Sequence, residues 1–586
     1  MNATFARYNQ RVLPLATMSR APLIERSRLL GKLLPASWRA SATLAPFRSR
    51  IFASIWAASL VSNFGGLIES VGAAWLMTSL APSPQMVALV QASTALPIML
   101  LSLPAGAIAD ISDRRVVMLV AQIFLLMASG TLTTFAFLDR ITPWTLLTLT
   151  FLIGCGAALY APAWQSSVGE QVPRSNLSAA VSLNSLAFNL ARIAGPAIGG
   201  VIVAAAGARM AFLVNLLCYV GLITVLASWS RPKPERLLPP ERIPMAVGAG
   251  LRYARLSPGI RTVLVRGSVF GLLSSAIWSL LPLIARDLIG GGAVTFGVLY
   301  AAFGAGAVAG ALFSASLRSK HGNEKVARVS TVGFGVGTVL TAISSWHALS
   351  MAALMLAGAS WVIALSTFNV TVQTGSPRWV AGRTIAIYQM VTFGGLAAGS
   401  WLWGTVAGES NVVTSLVISG SLMGVSALLG LWLPLPQPEG LNLDPSRTLS
   451  AEHANDLERL SDSGPIVVTI EYRIPAADTD RFLAEMRELR RIRRRDGARR
   501  WTLMHDTANA EAWIERYHSP NWIEHLRRHH RLTVADQETE RRVLALHAGE
   551  GPPQVRHLFE RHPDTAGEPV VITDPRLPSG PATARG

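Results

Sequence analysis

The chain has 586 residues, 50% of them hydrophobic and only 15% charged, which is too apolar for an ordinary soluble protein of this length. Its formal net charge of +17 would suggest a nucleic-acid binder, but much of the excess lies in an N-terminal arm and in short loops beside apolar runs. Anionic lipid headgroups are therefore the expected partner, and nucleic acid is not.

Residues 1–50 carry nine Arg/Lys and no apolar run long enough for a signal-peptide core, so they read as a basic cytoplasmic arm, with Met18 as an alternative start. Twelve apolar stretches follow, at 51–79, 85–109, 115–138, 144–168, 176–206, 208–229, 260–289, 293–317, 325–346, 348–374, 380–407 and 411–433. Each is long enough to cross a hydrocarbon core that needs about 20 apolar residues. With the N-terminus placed in the cytoplasm, the segments on that side hold 25 Arg/Lys and those on the other side three, Arg140, Arg209 and Arg286. Basic residues beside a span resist translocation, so both termini are expected in the cytoplasm of a cell (inner) membrane. Cys155 and Cys218 fall inside spans four and six, which leaves no disulfide framework and no CxxC metal site.

The Pro-rich segment 230–259 divides the spans into two sets of six, 51–229 and 260–433, and runs into a short basic amphipathic piece around Ala249–Leu256. The fifth and eleventh spans superimpose without gaps at an offset of two hundred, Asn189, Gly195 and Gly199 answering to Gln389, Gly395 and Gly399. After a polar linker, 434–464, the soluble segment 465–562 begins with the alternation Val468, Ile470, Tyr472, Ile474 of a half-buried strand. A helical stripe of Phe482, Met486 and Leu489 comes next, then strands at Arg499–Asp506 and Ala512–Ser519, and a helix with Ser519 as N-cap and Pro520 at its first position. The expectation is a ferredoxin-like α+β domain followed by a disordered tail, 563–586. Its basic run Arg487–Arg495 reads as a solvated helix face near lipid, since the domain holds 18 Arg/Lys against 15 acids. His525 and His529 have metal-pair spacing but no third ligand in view, so no metal and no cofactor are expected.

Charges inside spans are costly unless they face a cavity or a partner, and Glu69 and Arg192 stand out. Glu69 is the proton-coupling candidate, because burial favours the neutral carboxyl and lets protonation alternate with cargo binding. Arg192 could bind an anionic substrate, pair with Glu69 or tie helices together. Asn63, Trp75, Gln91, Asn184, Asn189, Trp278 and Gln389 are the further cavity candidates. Aromatic faces with amide edges suit an amphipathic organic compound.

The loop Gly106-Ala-Ile-Ala-Asp110-Ile-Ser-Asp113-Arg114-Arg115 resembles the signature of the major facilitator superfamily, Gly-x-x-x-Asp followed by a glycine and a basic pair. Asp113 stands where the second glycine is usual and Ile111 where a basic residue is usual. The resemblance implies a cytoplasmic gate of Gly106, Asp110, Asp113, Arg114 and Arg115 that latches the two halves when the cavity faces outward. The plainer alternative is a positive-inside turn with Ser112 or Asp113 as N-cap. Arg192-Ile-Ala-Gly195-Pro196-Ala-Ile-Gly199-Gly200 resembles the superfamily's antiporter motif, and the surrounding run resembles the siderophore and drug exporters of the enterobactin-exporter-like, transmembrane secretion effector type. What this implies is an all-α membrane protein of two six-helix halves, a secondary active exporter coupled to protons, with the tail similar to dimeric α+β-barrel domains that pair through their sheets. No GxxxxGK[ST] loop is present to make ATP the energy source. A membrane-tethered enzyme or a sensor acting through the tail is the alternative.

Overall fold

The computed structural model describes residues 42–81, 83–229, 243–436, 442–443 and 465–560; within these, several side chains, including those of Asp110, Arg174, Ile523, Leu526, His529 and His530, are outside the description. The expectations for most of the N-terminal arm, for 230–242, for most of the linker and for the tail therefore lie outside the described residues. The chain divides into two compact units, one reaching residue 439 without 377–379, the other formed by 377–379 and 440 onward.

The first unit is helical. Its first six helices are α1 (Arg50–Leu80), α2 (Pro84–Ile111), α3 (Arg114–Phe137), α4 (Pro143–Gln171), α5 (Leu177–Ala206) and α6 (Ala208–Ser228). The amphipathic α7 (Ile243–Leu256) leads into α8 (Pro258–Leu283), α9 (Ala293–Ile343), α10 (His347–Thr374), α11 (Ala381–Glu409), α12 (Val412–Ser426) and the short α13 (Leu429–Trp432). Among the described residues, eleven helical segments are long and apolar enough to cross a membrane. Spans eight and nine of the sequence form one continuous element, α9, of 51 residues. At 1.5 Å per residue it would reach about 76 Å, more than twice the ~30 Å hydrocarbon core. Gly322 interrupts it, at φ 76° and ψ 159°, a backbone conformation open to glycine and strained for other residues. Gly306 lies against Met355 and Gly337 against Ala353, so both arms of α9 run past the same stretch of α10 and fold back on one another.

Small residues set the close approaches, as packing in lipid requires. Gly195 and Gly199 of α5 lie against Leu67, Ile68 and Val71 of α1, and Gly395 and Gly399 of α11 lie against Ser268, Leu272 and Ser275 of α8. Residues two hundred apart thus make matching contacts in the two halves.

In the second unit, β1 (Ile466–Arg473), α14 (Thr479–Asp496), β2 (Arg499–His505), β3 (Ala512–Ser519), α15 (Trp522–Arg531), α16 (Val534–Leu544) and β4 (Gln554–Phe559) follow in order. The sheet is antiparallel with strand order β2-β3-β1-β4. Ile466, Val468, Ile470 and Tyr472 pack beneath Phe482, Met486 and Leu489, the expected stripe. Two expectations are corrected here. The helix after β3 starts at Trp522 with Asn521 as N-cap, its side chain accepting from the Glu524 N–H at 2.9 Å, because Asn offers a better-placed acceptor than Ser519. The basic run is also not wholly solvated, since Arg493 and Arg495 are buried. Arg493 falls at the next turn of the Phe482–Met486–Leu489 stripe, which carries it inward.

Candidate functional site

With successive helices antiparallel, the turns at 111–114 and 171–177 and the end of α10 at Thr374 share one end of the helical unit, here the basic end; the turns at 81–83, 207 and 289–292 share the far end. At the far end the two halves meet backbone to backbone. A Cβ on Gly200 of α5 would collide with the Ala293 carbonyl and Gly297 of α9, one on Gly297 with the Pro196 carbonyl, and one on Gly304 with the Arg192 carbonyl. Trp75 stacks on Phe296 with centroids 6.1 Å apart, and Arg286 Nη1 donates to the Thr78 carbonyl at 2.9 Å. Along a second seam α2 packs on α11, with Gly404 against Ala88 and Gly394 against Met99, and Ser102 Oγ donating to the Ala386 carbonyl at 3.2 Å.

Among the described residues, two recesses lie toward the basic end. The larger, about 780 Å³, is formed by α1, α3, α4, α5 and α6 and holds three of the expected residues, Asn63, Asn184 and Asn189. Gln122, Tyr160, Trp164, Gln165 and Tyr219 line it as well; each is a polar or amphipathic residue in a span, a signal that the sequence offered without separating these from packing residues. The smaller, about 320 Å³, joins Arg192 of α5 to Asn369 of α10 and Gln389 of α11. Trp75, Gln91 and Trp278 line neither. Trp278 instead packs in an aromatic group with Tyr300, Phe303 and Trp361, and its indole N–H has no hydrogen-bond partner among the described residues.

Glu69 is 4% exposed, and its Oε2 has no hydrogen-bond partner among the described residues. It shares a face of α1 with Gly65 and Gly72, which lie against Asn215, Cys218, Ala211 and Phe212 of α6. The Asn215 amide is buried on α6 one turn before Tyr219, its polar neighbour. Glu69 and Arg192 make no ion pair with each other, contrary to one of the expected alternatives, because α1 turns Glu69 toward α6 while the Arg192 guanidinium stacks 4.8 Å from the Trp361 centroid. A further intraspan charge escaped the sequence reading. Arg266 of α8 is 5% exposed and pairs with Glu324 at 2.6 Å. Glu324 also takes Arg328 and the Leu435 N–H, a paired arrangement visible in sequence only as a lone arginine within VLVRGSVFG.

In the α2–α3 turn, Asp113 caps α3, its carboxylate accepting from the Arg115 N–H at 2.9 Å. Arg114 Nη1 donates to Glu170 and to the Ser166 carbonyl, both at 2.7 Å. Arg115 donates to the Leu226 carbonyl at 3.0 Å and to the Ala227 carbonyl at 2.6 Å. Both arginines are thus engaged within the first half. The second half has an echo, Arg318 donating to Ser366 Oγ at 3.0 Å. A Cβ on Gly106 would meet nothing within 4 Å, so among the described residues no close helix approach is made there. Asp110 lies in α2, and its side chain is outside the described residues.

In the second unit Glu515 is fully buried, accepting from Tyr472 Oη at 3.0 Å and Trp501 Nε1 at 2.8 Å, with Arg493 at 3.3 Å. Burial and then the Glu515 carboxylate hold the Tyr472 phenol well above its usual range. Arg495 pairs with Asp496 and Asp536. His525 stacks on Trp522 at 5.2 Å and meets His557 edge-on at 4.8 Å.

The model of the transmembrane secretion effector family matches residues 41–564, helical unit and sheet domain together. The chain belongs to this family. The chain is similar to the multidrug efflux pump Tap of Mycolicibacterium fortuitum, 23% identical over 389 residues, 64% of this chain and 94% of the pump. The enterobactin exporter EntS of Salmonella typhimurium is 29% identical over 279 residues, 47% of this chain and 66% of the exporter. Among solved structures, a bacterial homolog of the human lysosomal transporter Spinster, inward-facing and unoccupied, aligns at TM-score 0.52 and 12% identity over 66% of this chain and 95% of its own. An auto-inhibited peptide transporter of the POT family aligns at TM-score 0.55 and 13% identity, covering 69% and 99%. Family and fold together make the chain a multi-pass membrane transporter of the major facilitator type and not an enzyme.

Proposed function

We propose that this transporter is a proton-coupled exporter of a small organic compound, siderophore- or drug-like, working by alternating access in the inner membrane. The fold-back of α9 at Gly322 supports twelve crossings in two six-helix halves, and the skew of Arg/Lys toward one set of loops supports a cytoplasmic basic end with both termini on that side. In this reading the recesses face inward. The observation that carries it is the far-end seam, where the antiporter-like run Gly195–Gly200 brings α5 against α1 and α9 through glycines. Such a seam can part and reclose without side chains to disentangle, as rocking of two halves requires. Export is the direction supported by that motif and by relatives named as efflux pump and enterobactin exporter.

Glu69, buried in α1 with an oxygen that has no hydrogen-bond partner among the described residues, is the proposed proton carrier; Asn63, Asn184 and Asn189 line the proposed cargo path with Arg192 and Gln389. The sheet domain is assigned a dimerisation or regulatory role. The test takes a cargo found by comparing secretion from cells with and without the chain and measures its flux in proteoliposomes under an imposed pH gradient. Wild type should show gradient-driven flux. Glu69→Gln should lose it while keeping exchange without a gradient; undiminished gradient-driven flux in that variant removes Glu69 from the mechanism.

A further inference from the structure

The smaller recess carries chemistry that the export reading leaves unused. Arg192 projects into it with no carboxylate at ion-pairing distance among the described residues, and a guanidinium held inside a span without a counter-charge is costly. The Trp361 face, 4.8 Å from its carbon centre, offsets part of that cost. Trp361 is itself braced by Trp278 at 5.3 Å and Phe303 at 6.1 Å, and the Arg192 backbone is pinned against Gly304. The ring on which the guanidinium stacks is therefore fixed within the fold. Around it stand Asn369, Gln389 and the Phe393 ring.

We propose that this recess seats the negatively charged group of an aromatic cargo, a carboxylate or similar oxyanion held by Arg192, with Asn369 and Gln389 as polar neighbours and the rings as its apolar wall. The assignment rests on the export reading for the word cargo. About 320 Å³ lies at the small end of ligand sites, enough for one fused ring system. The fork of Arg192 suits a two-oxygen acceptor, a match a lysine would not reproduce. The recess also joins α5 of the first half to α10 and α11 of the second, so an oxyanion seated there touches both halves. A ligand that contacts both can favour one arrangement over the other, which is how its binding would move the transporter.

The experiment measures binding of 1-naphthoate and of its neutral isostere 1-naphthamide to the full chain in phosphatidylcholine nanodiscs. Wild type should bind the naphthoate on the order of tenfold more tightly. Arg192→Gln should erase the difference while leaving the naphthamide unchanged, and Arg192→Lys should keep part of it. If Arg192→Gln does not fold, Asn369→Asp, which places a negative charge in the recess, should do the same. Absence of naphthoate binding, equal affinities in wild type, or discrimination surviving in Arg192→Gln or Asn369→Asp overturns the proposal. Phosphatidylglycerol added to the nanodiscs should leave naphthoate binding intact; if it abolishes it, the recess holds a lipid headgroup and the cargo assignment fails. A chain that discriminates the two probes yet moves nothing under a pH gradient would contradict export alone.

Discussion

Arg115 reaches the last turn of α6, where the helix dipole is negative, and donates to the Ala227 carbonyl and to the Leu226 carbonyl, which also accepts from the Trp229 N–H at 3.3 Å. Two charge-assisted hydrogen bonds at that position should stabilise the first half by about 1–3 kcal/mol. Arg115→Ala is therefore expected to lower the thermal midpoint of the detergent-solubilised protein, with Arg115→Lys recovering about half the loss; an unchanged midpoint would show that water satisfies those carbonyls equally well. Asp113 as an N-cap was readable from its position before a helical run, because capping is local. The partners of Arg115 were not, since they lie more than a hundred residues along the chain. The same limit hid Arg266 and Arg493. Each looks solvent-seeking by residue type, and each is buried because an acid from a distant element, Glu324 or Glu515, meets it. Asn63, Asn184 and Asn189 were recognisable as polar exceptions in apolar helices, but only the fold gathers them into one recess and leaves Gln91 out of it.

Between elements, α5 and α9 touch through Gly200, Gly297 and Gly304, with no space for a single Cβ. Forcing a side chain into a packed seam costs about 1–3 kcal/mol, and under the proposed alternating access the seam would exist only while the far end is shut. Gly200→Val should then reduce the population open toward the basic end by roughly tenfold, since 1.4 kcal/mol is a factor of ten. Far-end residues such as Trp75, replaced by cysteine, should become more reactive to an aqueous thiol reagent; reactivity equal to that of the unsubstituted seam would mean that the glycines serve assembly and not movement. Gly106, with open space around it, should tolerate a larger residue in this arrangement and resist only closure of the basic end. Helix existence was legible from apolar length throughout, because each span must bury its backbone polar groups within itself. Ends were less so. Gly322 breaks α9 without ending it, since the chain can turn within one or two residues and resume hydrogen bonding immediately.

At the scale of the whole molecule, the distribution of charge makes a claim that no single contact tests. Arg and Lys cluster at the end where the recesses lie, and Arg140, Arg209 and Arg286 are the exceptions at the other. If twelve crossings hold, the start of α1, the amphipathic α7 and the sheet domain all lie on one side of the bilayer. Arg286 and Asp287 pair at the far end, and a mutually compensated pair offers less hindrance to crossing than lone cations do. The expectation is checked with single cysteines at Asp139, Asn411, Arg252 and Glu560 and a membrane-impermeant maleimide. The first two should label in intact cells, and the last two only after the membrane is opened. Arg252→Cys and Glu560→Cys labelling from opposite sides would require an odd number of crossings between them, as when the two arms of α9 on either side of Gly322 do not make two separate crossings, and would put the sheet domain on the far side.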